Sequence, residues 1–281
     1  RDPLWSRGLG DVYKRQRRML TVFDAVDGFP GLVAPLEDPG SEGIAAVLTS
    51  CLQPDEQNRR VIAGMIAAAH DLVQGHDPAS MQEDAPQLAR TAVELDRAYP
   101  GDPSILAALL MNRVHLRPGE SLFLGAGTMH AYLHGTGIEI MASSDNVLRG
   151  GLTSKHIDVP ALLAHADLTA TCVQPECPRQ LPGGLQHYRT PFPEFTLWRL
   201  GERVETDLPA TGLGRILLVL DGRMSLITSA GVTSTDTSAE VTQVRAGQAV
   251  WISAGQQVHV TGSAVGFLAA PGICQEFPDE L

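Results

Sequence analysis

The sequence predicts a mainly β protein with a helical insertion: a helical block followed by two related β-barrels. Three observations lead there. Apolar residues recur with a 3.6-residue period between positions 41 and 98. Short alternating runs broken by turn residues fill the chain from about Gly183 onward. A strand–turn–strand pattern occurs twice, once near residue 120 and again near residue 250.

Taken in order, Met19 to Pro35 is an apolar, turn-rich lead-in. Ile44, Val47, Leu48, Cys51 and Leu52 then lie on one helical face. Val61, Ile62, Met65, Ile66, Ala69, Leu72 and Val73 form a stronger stripe, with Gly75 as its stop. Leu88, Ala92, Val93 and Leu95 mark a third helix, with Pro86 tolerated near its first turn. A fourth runs from Pro103 to about Met111, capped by Asp102. Beyond Asn112 the texture changes: Ser121 to Leu124, His130 to His134 and Ile138 to Met141 read as strands, and Val159 to Ala166 as a short helix. Phe195 to Leu200, Ile216 to Leu220 and Met224 to Ile227 are further strands, and Asp221-Gly222 reads as a hairpin turn.

The repeat pairs Gly119 to His130 (G-ESLFL-GAGTM-H) with Gly247 to His259 (G-QAVWI-SAGQQV-H). His130 lies three residues after its turn glycine and His259 four after its own. Strand side chains alternate with period two, so His259 is expected on the opposite face, in a structural role.

Composition narrows the function. A net charge of −11 disfavours nucleic acid and anionic membrane as partners. Apolar runs such as Ile105 to Met111 are too short to span a bilayer. Cys51, Cys172, Cys177 and Cys274 show no zinc-site spacing and read as reduced, structural thiols of a cytoplasmic protein. Residues 1–16 (RDPLWSRGLGDVYKRQ) share no pattern with the rest. They read as translated adapter sequence joined to a truncated gene and are excluded from the fold.

Residues 118 to 159 read PGESLFLGAGTMHAYLHGTGIEIMASSDNVLRGGLTSKHIDV. This closely resembles the type I mannose-6-phosphate isomerases of the cupin superfamily, whose pattern is near PGEALFLPAGTPHAYLSG, then SDN-x-x-R-x-GLTPK. Tyr99 to Asn112 and Tyr188 to Leu200 are similar to the same family, and the resemblance covers about residues 19 to 281. Met129 stands where the family has proline, as does Ser154; Met129 is expected to loosen the loop ahead of His130.

The resemblance implies two cupin-type jelly-roll barrels, the first incomplete, plus an α-helical domain. Residues 17–39 would be a remnant of the catalytic barrel, 40–111 the helical domain, 112–168 catalytic barrel strands, and 169–281 a C-terminal jelly roll. It implies an enzyme interconverting D-mannose 6-phosphate and D-fructose 6-phosphate through a cis-enediol, with one zinc ion. His130 corresponds to the family's later metal-ligating histidine; the other ligands precede the segment matching Met19 onward. Arg149 would stabilise the negative charge of the intermediate, Glu139 would move the proton, Lys155 would meet the phosphate, and Tyr132 would line the pocket. With one metal ligand, the chain is expected to bind zinc weakly, to turn over little, and to be a monomer acting on a small sugar phosphate. The second reading is a non-catalytic, cupin-like sugar-binding or regulatory protein. An oxygen-using metal cupin would want a cluster of His and carboxylate ligands that the sequence lacks.

Overall fold

The structure, a computed structural model, describes residues 20–37, 40–75, 84–144, 146–169, 173–209, 212–228 and 240–272. Residues 1–16, Asp145, Cys172 and Cys274 lie outside the described residues. The chain forms two compact units. One comprises Arg1–Val114, Leu124–His134 and Asp145–Gln174; the other comprises His115–Phe123, Gly135–Ser144 and Pro175–Leu281.

The first unit is helical. A 3-10 turn at Thr21–Phe23 leads into α1, Phe29–Val33. Gly28 starts α1 with φ +81°, and a Cβ there would stand 2.9 Å from Val61 Cγ2, so the entry to α1 is pressed against the next helices. α2 (Ser41–Leu52) buries Val47, Leu48 and Cys51, and α3 (Glu56–Gly75) buries Val61, Ile62, Met65, Ile66 and Ala69. These are the stripes the period predicts. Asp55 starts α3 by accepting from the Asn58 N–H at 2.7 Å. Gly75 is the last residue of that helix rather than a residue beyond it. α4 (Asp84–Ala98) buries Leu88, Ala92, Val93 and Leu95. His70 on α3 bonds Asp96 on α4 at 2.8 Å. α5 (Ser104–Leu109) is apolar almost throughout, with Ile105, Leu106, Ala107 and Leu109 all buried. α6 (Val159–His165) is capped by Asp158, which accepts from the Ala161 N–H at 3.0 Å. One apolar cluster joins α1 to α5, and each fully buried Leu or Ile contributes about 1.5–3 kcal/mol to it.

The second unit is an antiparallel sheet built on two long strands, β5 (Arg215–Thr228) and β8 (Val258–Ala270). They pair along nearly their whole length. Each is flanked on its outer side by two short strands in succession. β3 (Thr196–Leu200) lies along Gly266–Ala270 and β4 (Val204–Asp207) along His259–Gly262. β7 (Ala249–Ile252) lies along Arg215–Leu218 and β6 (Glu240–Arg245) along Arg223–Thr228. β1 (Arg179–Gln180) and β2 (Leu185–Tyr188) extend the β3 edge. Trp198, Leu200, Leu217, Val219, Met224, Leu226, Val260 and Leu268 fill one core.

Where β5 changes partners its register slips by one residue, between Val219 and Asp221. Asp221-Gly222 is therefore not a hairpin turn. It lies inside one continuous strand, paired with Val265 and Ala264 just after a bulge at Leu220, with Gly222 at φ +76°. The turn chemistry was legible, but strand pairing on both sides kept the chain running forward. The adjoining turn docks there: the Ala246 N–H donates to Gly222 O at 3.1 Å and the Gly247 N–H to Val219 O at 2.8 Å. His259 lies on β8, and its Nδ1 meets Asp207 Oδ1 at 2.9 Å.

The strands expected at Ser121–Leu124, His130–His134 and Ile138–Met141 carry no ladder; one bridge, Ser121 to Glu176, is all they make. A strand needs a neighbour to take its N–H and C=O groups. Among the described residues none runs alongside these segments. Residues 115–123 are fixed to the second unit instead, by Tyr188 donating to Gly119 O at 3.1 Å and by Phe123 on Phe192 at 4.7 Å.

Candidate functional site

The segment carrying His130 is set by a tight turn. The Thr128 N–H donates to Gly125 O at 3.2 Å, and Gly127 takes φ +79°. The Asp167 N–H donates to Gly127 O at 2.9 Å, and a Cβ on Gly127 would stand 2.8 Å from His165 O. The turn thus sits directly on the end of α6, where only glycine fits. Met129 then packs into the helical unit's apolar cluster, its Cε 2.7 Å from where a Cβ on Gly150 would be. Met129 anchors this loop, contrary to the expectation that it loosens it, because its flexible side chain reaches a space that Gly150 leaves open.

His130 is exposed, and its Nδ1 lies 3.0 Å from Thr128 O. A carbonyl can only accept, so Nδ1 donates, and in the neutral ring that leaves the lone pair on Nε2. That is the tautomer a metal ligand needs, held by a backbone group as in ordinary metal sites. Tyr132 meets the His130 ring edge-on at 6.1 Å and is 74% exposed. His134 turns to α4, with Nε2 3.8 Å from Glu94 Oε1; Arg113 holds the other Glu94 oxygen at 3.0 Å.

Arg149 and Lys155 bracket a second constrained turn in the same unit, and both are exposed. Gly151 has φ +120° and Leu152 φ +49°. The Leu152 N–H donates to Ser104 Oγ at 2.7 Å. The Lys155 N–H donates to Thr153 Oγ1 at 3.1 Å. Glu139 is exposed and belongs to the sheet unit. His156 and Asn146 are exposed. Among the described residues no three His, Cys, Asp or Glu side chains gather as a metal-binding group. Catalytic zinc takes about three protein ligands. His130 fits as one of them. Sequence reasoning missed Ser104 and the anchoring by Met129, because both depend on contacts between distant segments.

No family model matches the chain. Curated relatives do. Mannose-6-phosphate isomerase 1 of Arabidopsis thaliana is 33% identical over 208 residues, 70% of this chain and 44% of that protein. The Escherichia coli mannose-6-phosphate isomerase is 37% identical over 161 residues, 57% of this chain and 38% of that protein. The chain is a relative of the mannose-6-phosphate isomerases. A phosphomannose isomerase variant from Salmonella typhimurium agrees in fold with a TM-score of 0.71 at 25% identity, covering 95% of this chain and 64% of that one. The human mannose-6-phosphate isomerase is 30% identical over 227 residues, 52% of its length. The chain therefore spans about half or less of these curated isomerases.

Proposed function

We propose that the protein carrying this chain interconverts mannose 6-phosphate and fructose 6-phosphate. The observation that carries the reading is the pair of rigid turns at 125–130 and 149–155. They present His130, Arg149 and Lys155 in a chain related to named isomerases. Aldose–ketose isomerisation moves a proton between C1 and C2 through a cis-enediol, with negative charge developing on the substrate oxygens. The Arg149 guanidinium is always charged and suits that oxygen pair. Lys155, six residues on, suits the phosphate as a point charge. Glu139 is the candidate proton carrier, and Tyr132 lines the approach beside His130. Zinc, where bound through His130 and ligands beyond the described residues, would supply Lewis-acid polarisation of the carbonyl. Cytoplasmic location and a monomeric state belong to the same proposal. No helix among the described residues is long and apolar enough to cross a membrane.

Deuterium uptake at C1 of fructose 6-phosphate in heavy water, followed by proton NMR on the full-length protein, tests the reading. Exchange is expected, with Arg149→Ala lowering its rate about 100-fold or more and Lys155→Ala acting mainly on KM. No exchange in zinc-loaded full-length protein would refute it. Calorimetry on the present chain is expected to show weak zinc binding, and tight one-to-one binding would overturn the assignment of a single ligand.

A further inference from the structure

We propose that Ser104 is a positioning residue for the Arg149–Lys155 turn. Its hydroxyl, oriented by Asp102, holds the Leu152 peptide in a left-handed conformation and so aims the two cations on either side. The inference deepens the isomerase reading and rests on it for the roles of Arg149 and Lys155.

Ser104 is the first residue of α5 and is 3% exposed. Its Oγ donates to Asp102 Oδ1 at 2.7 Å, which leaves a lone pair to receive the Leu152 N–H at 2.7 Å. Asp102 Oδ1 also accepts from the Ser104 N–H at 2.8 Å, so one carboxylate, a residue ahead of the Pro103 cap position, holds both the backbone and the hydroxyl of Ser104. The Ser104 hydroxyl thereby serves a segment 48 residues away.

The receiving turn needs such a partner. Leu152 is the one non-glycine residue with positive φ among those described. A leucine there persists only when its surroundings over-determine it. Contacts from three segments do so. A Cβ on Gly150 would meet Met129 Cε at 2.7 Å. One on Gly151 would meet Ser104 Cβ at 2.5 Å and Leu52 Cδ2 at 3.4 Å. Leu152 itself packs against the helical core. Steric contacts confine the turn, and the Ser104 hydroxyl, by accepting from the Leu152 N–H, fixes the direction of that peptide and hence of the chain entering Thr153 and Lys155. The Met129 contact ties the His130 loop to the same place.

The test uses full-length protein with mannose 6-phosphate and unphosphorylated mannose as probes, comparing wild type, Ser104→Ala, Asp102→Asn and Ser104→Ala with Leu152→Gly. Ser104→Ala is expected to speed amide exchange at Leu152 and to weaken mannose 6-phosphate binding about fivefold, the weight of one hydrogen bond. Mannose binding should change less. Asp102→Asn is expected to give a smaller effect of the same sign. Adding Leu152→Gly is expected to restore affinity, since glycine adopts positive φ without help; a merely structural role would not be rescued by a change that removes packing. Unchanged exchange at Leu152, or equal losses for both sugars with no rescue, overturns the proposal. Wild-type protein with no affinity for mannose 6-phosphate would sink the isomerase reading, and exchange at Leu152 would still decide whether the hydroxyl holds the turn.

Discussion

Replacing Gly222 by alanine separates a continuous strand from a hairpin turn. Gly222 and Gly247 have similar backbone angles, φ +76° and +81°. Their surroundings differ. A Cβ on Gly247 meets nothing within 4 Å, whereas one on Gly222 would overlap the Ser263 carbonyl oxygen and stand 2.8 Å from Ala264 Cα. Left-handed backbone alone costs a non-glycine residue about 1–2 kcal/mol. That is the whole expected loss for Gly247→Ala. For Gly222→Ala the strands must also part against backbone atoms that cannot rotate away, adding about 1–3 kcal/mol. The gap of about 2 kcal/mol is a factor of about 30 in the unfolding equilibrium. Urea titration followed by tryptophan fluorescence reads it, because Trp198 is buried in the same sheet and Trp251 lies on its surface. Equal losses for the two variants would refute a continuous strand through Gly222. In a solvent-facing hairpin turn both glycines would carry only the conformational cost.

Two further outcomes follow from groups held away from their ordinary titration. Burial pushes the Cys51 thiol up to about 12, so it is expected to resist alkylation at pH 8 in folded protein while exposed Cys177 reacts; peptide mapping by mass spectrometry checks this, and equal labelling would contradict it. The Gly101 N–H, followed by His70, holds the Asp96 carboxyl below its usual 3.8. A lowered folded value means that its stabilisation is present above about 3.8 and is lost as pH falls through the folded value. Asp96→Asn is expected to flatten that acid limb in an unfolding series, leaving the neutral region shifted by a constant.

The helical unit was legible because its information is local. Val61, Ile62, Met65, Ile66 and Ala69 declare a buried face by spacing alone, and the structure buries all five. The sheet was legible in its strands but not in its joins. Asp221-Gly222 has the composition of a hairpin, and nothing nearby in sequence says that Ala246 and Gly247 will dock on it and let β5 continue. Segments 121–124, 130–134 and 138–141 carry strand patterning whose expression depends on a neighbour, so pattern alone could not decide them. At the candidate site the sequence pointed to His130, Arg149 and Lys155 through resemblance. It was silent on Ser104, whose contact with Leu152 spans 48 residues.

The exposure of those side chains bears on what they can do. Two unit charges 4 Å apart interact by about 1 kcal/mol in water and about 4 kcal/mol at the effective dielectric of a protein surface. A fully solvated Arg149 would therefore lower the barrier to an enediolate by less than about tenfold, since 1.4 kcal/mol is needed for each factor of ten. Isomerisation requires far more. If Arg149 and Lys155 perform the proposed roles, their charges must be drawn out of water when substrate binds, and the rigid turns make that drying effective. A backbone already held at Gly150–Leu152 by the Met129 and Ser104 contacts loses little further freedom when substrate binds, so the stronger field acts on the substrate and not on reorganising the loop. On this argument Ser104→Ala should weaken the transition state more than the ground state, and kcat should fall further than KM rises.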